Sequence, residues 1–403
     1  MAAAAFLVCC LFMQAPTPEV IEHAQAGTAA LQKGQLDVAI QEFRKVTELQ
    51  PESASGHANL GDAYFQKGQY KDAVPELEHA LQINPNLIGT HQTLGVALLV
   101  QGNPEGALPH LEKTHMPELL GLAYLETGRL GSAIMALQAA LEREPNDPDL
   151  LYYFGRATAM ASARTAEQLA KLSPAGAEKN SAAGNASPPE DIVKLQQALA
   201  GRPNDPELLA AFSRAAGLAS KKAFDSVLQS AADSARAHQV RAERLAEDRH
   251  LPQAEQEYVA ALRLKPYTAG VYLDLGGILA AEGKWPAAAE AYRLETDLQP
   301  LNADAFYRLG SAFLQLRQPA AALESLAHAD RLTPDNPQIL LELGRAAAGA
   351  GDSPRAESSW KQLLSLEQGG ALAASAHLEL STLYRNAGKA DLADREMSVY
   401  QQL

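Results

Sequence analysis

The sequence repeats itself. Leu60-Gly61-Asp62-Ala63-Tyr64 is followed by Gly68-Gln69-Tyr70, then by Ala73, Leu77 and Ala80, and closes on Asn84-Pro85. The same order of residue types returns at a spacing of about 34 residues along almost the whole chain. Leu60 and Tyr64 lie four apart, on one face of a helix over Gly56 to Gln66. Gly68 and Gln69 interrupt it, and a second helix runs from Tyr70 to about Ile83 with Ala73, Leu77, Ala80 and Leu81 in one stripe. Pro85 stops that helix, because proline pushes the residue before it out of the α region. Gly61 and Ala73 lack bulk, so the two axes can approach, while Tyr64 and Leu77 fill the space beside them. One such hairpin cannot bury both of its apolar faces, and repetition supplies the neighbour it needs.

The copies can be followed in order. The first, from about Val20, has Gly27, Gly34, Ala39, Phe43 and Pro51 in register; the third carries Leu94-Gly95 and Gly102 but is cut short near Lys113. The fourth has Leu120-Gly121, Gly128, Ala133 and Leu137. Regular copies resume from Ala235, with Arg241-Ala242 in place of leucine-glycine, then Leu275-Gly276, Leu309-Gly310, Leu343-Gly344 and a final unit with Leu380, Tyr384 and Gly388. This pattern resembles the tetratricopeptide repeat, over about Val20 to Leu403 and most weakly between Ala163 and Arg236. The resemblance implies an all-α chain, an α-solenoid of stacked antiparallel hairpins forming a right-handed superhelix. Composition agrees: alanine and leucine dominate, aromatics are only 6%, and no alternating β-branched run argues for a sheet.

The weak middle has its own logic. Phe154-Gly155 opens a first helix, but the turn glycine is missing and Ser162 stands near its place. Residues Ser173 to Pro189 are rich in Ser, Ala, Gly, Asn and Pro and read as a mobile linker. Leu150, Leu151, Phe154, Arg156, Ala157, Ala161 and Ser162 then recur 58 residues on as Leu208, Leu209, Phe212, Arg214, Ala215, Ala219 and Ser220, which marks a duplication. A helix at about Glu190 to Ala200 is expected to be an old second helix whose own first helix is lost; its neighbour stays open. The expected division is a signal peptide over 1–15, an N-terminal array over 16–172, the linker over 173–189 and a C-terminal array over 190–403.

Met1 to Met13 is apolar and uncharged, shorter than a spanning helix, and reads as the core of a signal peptide cleaved near Ala15. The expected location is therefore periplasmic or secreted, with a cytoplasmic protein as the alternative, since no Lys or Arg precedes the run. Both cysteines, Cys9 and Cys10, fall in this segment, so a cleaved chain has no thiol to be oxidised. A formal charge of −14 argues against nucleic acid or an anionic membrane as the main partner.

No catalytic constellation stands out: HExxH, a Walker loop, GxSxG and a CxxC pair are all missing. Neither a cofactor nor a metal site is expected. His110 and His115 flank Glu112 but share no helix face, and read as solvated turn residues. Trp285, Trp360, Tyr258 and Tyr292 sit on second helices at core-filling places. By resemblance, first helices line the concave groove and the residue after the leucine-glycine step faces a partner. Those residues include Asp62, Arg156, Arg214, Ser311 and Arg345. The three arginines could pair with a carboxylate or an acidic peptide, or simply with nearby glutamates. Some family members clamp a partner's terminal carboxylate with lysine and asparagines; Ala24, Ala58 and Gln92 stand at those sites here. The expected function is a non-enzymatic scaffold for a peptide or protein partner. A cytoplasmic regulator or assembly factor is the alternative, and an accessory arm of an enzyme complex a remote one.

Overall fold

A computed structural model describes residues 15–172 and 192–403 of the chain. The described residues form 21 helices and no strand. Helices α1 to α9 are Pro18–Gln32, Leu36–Leu49, Ala54–Gln66, Tyr70–Ile83, Ile88–Val100, Pro104–Leu111, Pro117–Glu126, Leu130–Arg143 and Pro148–Leu172. Then come α10 to α15, Ile192–Gly201, Pro206–Ser230, Ala235–Glu247, Leu251–Leu264, Val271–Ala281 and Trp285–Leu298. The last six, α16 to α21, are Ala303–Gln315, Pro319–Leu332, Pro337–Gly349, Ser353–Leu366, Gly370–Asn386 and Ala390–Gln402. The signal peptide and linker expectations fall on residues 1–14 and 173–191, outside the described set. None of the described helices is long and apolar enough to cross a membrane.

One contact builds each hairpin. A Cβ placed on Gly61 would lie 2.7 Å from Leu77 Cδ2, and one on Gly310 would lie 3.1 Å from Leu326 Cδ2. In the regular hairpins the knob is sixteen residues further on: Phe43 for Gly27, Leu111 for Gly95, Leu137 for Gly121, Tyr292 for Gly276 and Trp360 for Gly344. Leu77 is fully buried, a gain of about 1.5–3 kcal/mol over leaving it in water. Trp360, Tyr258 and Tyr292 are buried as expected, and Trp285 is half-buried. Seven residues after the close-approach position the chain turns in the left-handed region, with Gly68 at φ 77 and Gly283 at φ 75. Two hairpins put arginine there instead, Arg249 at φ 61 and Arg317 at φ 56.

A recurring polar clip was not foreseen. Four residues before the close-approach position stands a histidine whose Nδ1 meets a glutamate nineteen residues on. The pairs are His23–Glu42 (2.7 Å), His57–Glu76 (2.6 Å), His238–Glu257 (2.6 Å) and His377–Glu396 (2.5 Å). In the third hairpin the glutamate is replaced by His110, whose Nδ1 lies 2.8 Å from Nδ1 of His91. His110 is therefore not the solvated turn residue expected from sequence but a half-buried residue of α6. Burial, and then His91 and Lys113, lower its pKa. His115 does sit exposed in the turn, at φ 53.

The chain divides into two compact units. One comprises residues up to Leu98 with Gly106–His115; the other comprises Leu99–Glu105 and Met116–Leu403. Within the second unit the helices before residue 173 and after residue 191 share one core, in which Leu137, Leu150 and Ala157 meet Ile192, Phe212 and Ala216. At Ser162 and Ser220 no glycine is present to turn the chain, so α9 and α11 each run on to 25 residues. They pair with each other antiparallel: Ser162 Oγ donates to Ser213 O (2.8 Å) and Ser213 Oγ donates back to Ser162 O (3.1 Å). Gly155 takes its knob from Phe224 of α11, where a sixteen-residue step would have pointed to Lys171. The duplicated copies thus complete one another. Helix α10 packs on α11 and α8, which identifies the neighbour that the sequence left open.

Candidate partner-binding site

On a first helix the close-approach residue faces its second helix. The residues two before it and one after it are three apart and share a different face. On successive first helices of the second unit these positions hold Tyr153 and Arg156, Val240 and Glu243, Asp274 and Gly277, Arg308 and Ser311, Glu342 and Arg345. The charged members keep part of their surface open.

A dense polar network occupies the α9, α12 and α14 part of this face. Tyr152, fully buried, donates its hydroxyl hydrogen to Glu243 and accepts from Gln239 Nε2 at 2.6 Å. Arg236 is 5% exposed and places all of its nitrogens: Nε on Asp149 (2.6 Å), Nη1 on Gln239 Oε1 (2.6 Å) and Nη2 on the Tyr153 hydroxyl (2.5 Å). Its guanidinium also lies 4.6 Å from the Tyr152 ring centre and 4.7 Å from that of Tyr153. Lys265 holds the other Asp149 oxygen at 2.9 Å. Burial works against the Asp149 carboxylate, but Arg236 and Lys265 prevail and lower its pKa.

The rest of the network lacks that compensation. Burial pushes Glu243 up to about 7 against the opposing pull of Tyr152 and Arg156. Burial also raises Asp274, with Arg156 and Arg308 opposing. Glu126 keeps its side chain in contact with water, yet the protein packed around it raises its pKa too, with Arg156 opposing. Arg156 lies 5.8 Å from the Tyr152 ring centre; Tyr152 and then Asp274, Glu243 and Glu126 stabilise its charge. One guanidinium acts on three carboxylates.

The residues expected from sequence are placed as follows. Arg156 is in this network. Arg345 is engaged by Glu342 and Glu379, each at 2.7 Å. Arg214 is half-buried on α11, so the duplication puts it and Arg156 on two helices that are paired with each other. The Ser311 hydroxyl is closed off from water near the Tyr307 phenol but outside hydrogen-bond geometry. Asp62 belongs to the first unit, where its Oδ1 is enclosed without a partner; burial raises its pKa, with Thr93 opposing. Sequence reading followed only the residue after the glycine step and so missed Tyr152, Arg236, Gln239, Glu243 and Asp274. The helical period puts Glu243 and Asp274 on the same register as Arg156, but Tyr152, Arg236 and Gln239 lie off it and are joined only by packing between helices. In the first unit, a polar hollow of about 280 Å³ lies among Asp37, Arg44, Tyr64 and Lys67, but its cations are already matched: Arg44 to the Tyr64 hydroxyl (2.6 Å) and Lys67 to Asp37 (2.5 Å).

Comparison with known proteins returns the same repeat on both sides of the middle of the chain. Profiles described as TPR repeat match residues 27–68 and 61–102. Tetratricopeptide repeat profiles match 240–300 and 273–337, 118–147, and 337–362. No curated protein sequence matches the chain. Among solved structures, MamA 41-end from Desulfovibrio magneticus RS-1 is 18% identical with a TM-score of 0.41, covering 42% of this chain and 95% of that one. YrrB, a TPR protein with an unusual peptide-binding site, is 21% identical with a TM-score of 0.40, covering 44% and 90%. Pseudomonas aeruginosa pilF is 22% identical with a TM-score of 0.38, covering 51% and 86%.

Proposed function

Because the chain belongs to the tetratricopeptide repeat family, we propose that it is a non-enzymatic scaffold that holds a peptide or protein partner along its first helices. The observation that carries this reading is the row of half-open polar side chains on α9, α12, α14, α16 and α18, turned away from the hairpin contacts. A surface already assembled loses little ordering entropy on binding, which favours recognition of extended segments. A photoreactive amino acid tests it. At Gly277, where an added Cβ meets nothing within 4 Å, it should cross-link a partner in cells. At exposed Glu290 on the second helix α15 it should not. Capture from Glu290 alone would overturn the assignment of the face.

The apolar, uncharged Met1–Met13 run supports export to the cell envelope, periplasm or exterior. The lack of a basic residue before it favours a cytoplasmic regulator or assembly factor instead. N-terminal sequencing of the native protein separates the two, and a start at Met1 defeats export.

A further inference from the structure

We propose that the face carrying Arg156 on α9, Glu243 on α12 and Asp274 on α14, open at Gly277, receives a cationic side chain, lysine or arginine, of a partner peptide. This inference rests on the scaffold reading and names the chemistry its face selects.

Most charges on this face are already matched. Asp149 is engaged by Arg236 and Lys265, Asp304 by Arg308 at 2.9 Å, and Glu342 and Glu379 by Arg345. Glu126, Glu243 and Asp274 share Arg156, acting through space, with Arg236 adding to its pull on Glu243 and Arg308 to its pull on Asp274. A second, independent observation points the same way. Glu295 on α15 is fully buried and its Oε2 has no hydrogen-bond partner. Its other oxygen accepts from Gly270 N (2.7 Å) at the start of α14, and Asp274 and Glu126 both act on its charge. At this end of α14 four carboxyl groups, Glu126, Glu243, Asp274 and Glu295, thus stand against three guanidinium groups, Arg156, Arg236 and Arg308.

There is also room. Gly277, one turn beyond Asp274 on the same face, has open space where any other residue would carry a side chain. A metal ion does not fit, because among the described residues no three His, Cys, Asp or Glu stand close enough together to hold one. An ammonium or guanidinium on a flexible stem can reach carboxylates that are spread apart, and the Tyr152 and Tyr153 rings already support guanidinium groups in this network. An acidic peptide would gain Arg156 and meet three carboxylates. The net charge of −14 adds long-range attraction for a basic segment.

Binding should also depend on pH. Glu243 is faced by Tyr152 and Arg156 of α9, Asp274 of α14, Tyr258 of α13 and Arg236 of its own helix, and it loses its proton at about 7. A cation favours the ionised form, so affinity rises as pH rises through that value.

The test is selection of a random peptide library on the full chain, followed by anisotropy titration of the enriched peptides. Enriched peptides should carry Lys or Arg at a fixed place. Replacing it with norleucine should weaken binding about tenfold or more, and Glu243→Gln with Asp274→Asn should remove most of that difference. Should those substitutions upset folding, the wild-type chain still decides: its affinity for the lysine peptide, and not for the norleucine peptide, should rise between about pH 6 and about pH 8. Enriched peptides that cross-link to α12 and α14 but carry no cation, or bind alike at both pH values, overturn this proposal and leave the scaffold reading intact. If no peptide is retained on the first helices, both fail.

Discussion

Two adjacent glycines of α14 should respond to the same substitution with opposite sign. An alanine methyl at Gly276 would overlap the Tyr292 ring, lying 2.6 Å from Cδ1 and 2.9 Å from Cζ, and Tyr292 is 3% exposed with no space to retreat. Overpacking of this kind costs about 1–3 kcal/mol, and three overlapping ring atoms place it near the upper end. Both Gly276→Ala and Gly277→Ala gain about 1 kcal/mol from the better helix former. Gly277→Ala meets nothing within 4 Å and keeps the whole gain. The first variant should therefore lose about 2 kcal/mol and the second gain about 1 kcal/mol, a separation of about 3 kcal/mol. Native-state hydrogen exchange over α14 and α15 reads this hairpin directly, which matters because a solenoid need not unfold in one step. Equal protection in the two variants would refute the claim that the hairpin contact is a filled, rigid joint.

The remaining predictions concern strain and charge. Arg317→Gly and Arg249→Gly should each stabilise the chain by about 1 kcal/mol in urea titration, by relieving a left-handed residue with a side chain. No gain at either turn would refute the strain. Arg236→Met should destabilise the second unit by about 3 kcal/mol, since it strips a buried partner from Asp149, Gln239 and Tyr153 together; a loss below about 1 kcal/mol would mean that the network is decorative. Glu243 and Glu295 both hold their protons up to about 7, whereas an unfolded glutamate releases its proton near 4.3. The folded chain binds more protons between these values, so their contribution to stability is full below about pH 4.3 and is lost as pH rises through about 7. Hydrogen exchange of α12 and α15 should show wild type losing protection over that window and the Glu243→Gln, Glu295→Gln double variant losing less; identical profiles would refute it.

The repeat was legible because its determinants are local. Gly61, Leu77 and Gly68 act within one hairpin, so residue type and spacing reveal them, and α4 spans Tyr70–Ile83 as the periodicity indicated. The middle was legible only as text. The duplication from Leu150 to Leu208 and the missing turn glycine at Ser162 could be read from the chain. The mutual pairing of α9 with α11 could not, since Phe224 reaches Gly155 across segments that no local rule connects. The histidine clips were hidden for a related reason. His57 and Glu76 sit on different helices, and each alone looks like an ordinary surface residue. The polar site was half legible. Arg156 was found from its place after the glycine, while Glu243 and Asp274 lie on other hairpins whose significance appears only once the helices stand side by side.

The antiparallel clasp of α9 and α11 has a mechanical consequence. In a stack where each hairpin touches only its neighbours, pulling on the ends should peel units off one at a time, as from a roll of tape. The clasp cannot peel that way, because its two strips are sewn to each other by the reciprocal bonds of Ser162 and Ser213 and by Phe224 seated on Gly155. Force applied along the chain should release the outer hairpins first and then stall at this seam.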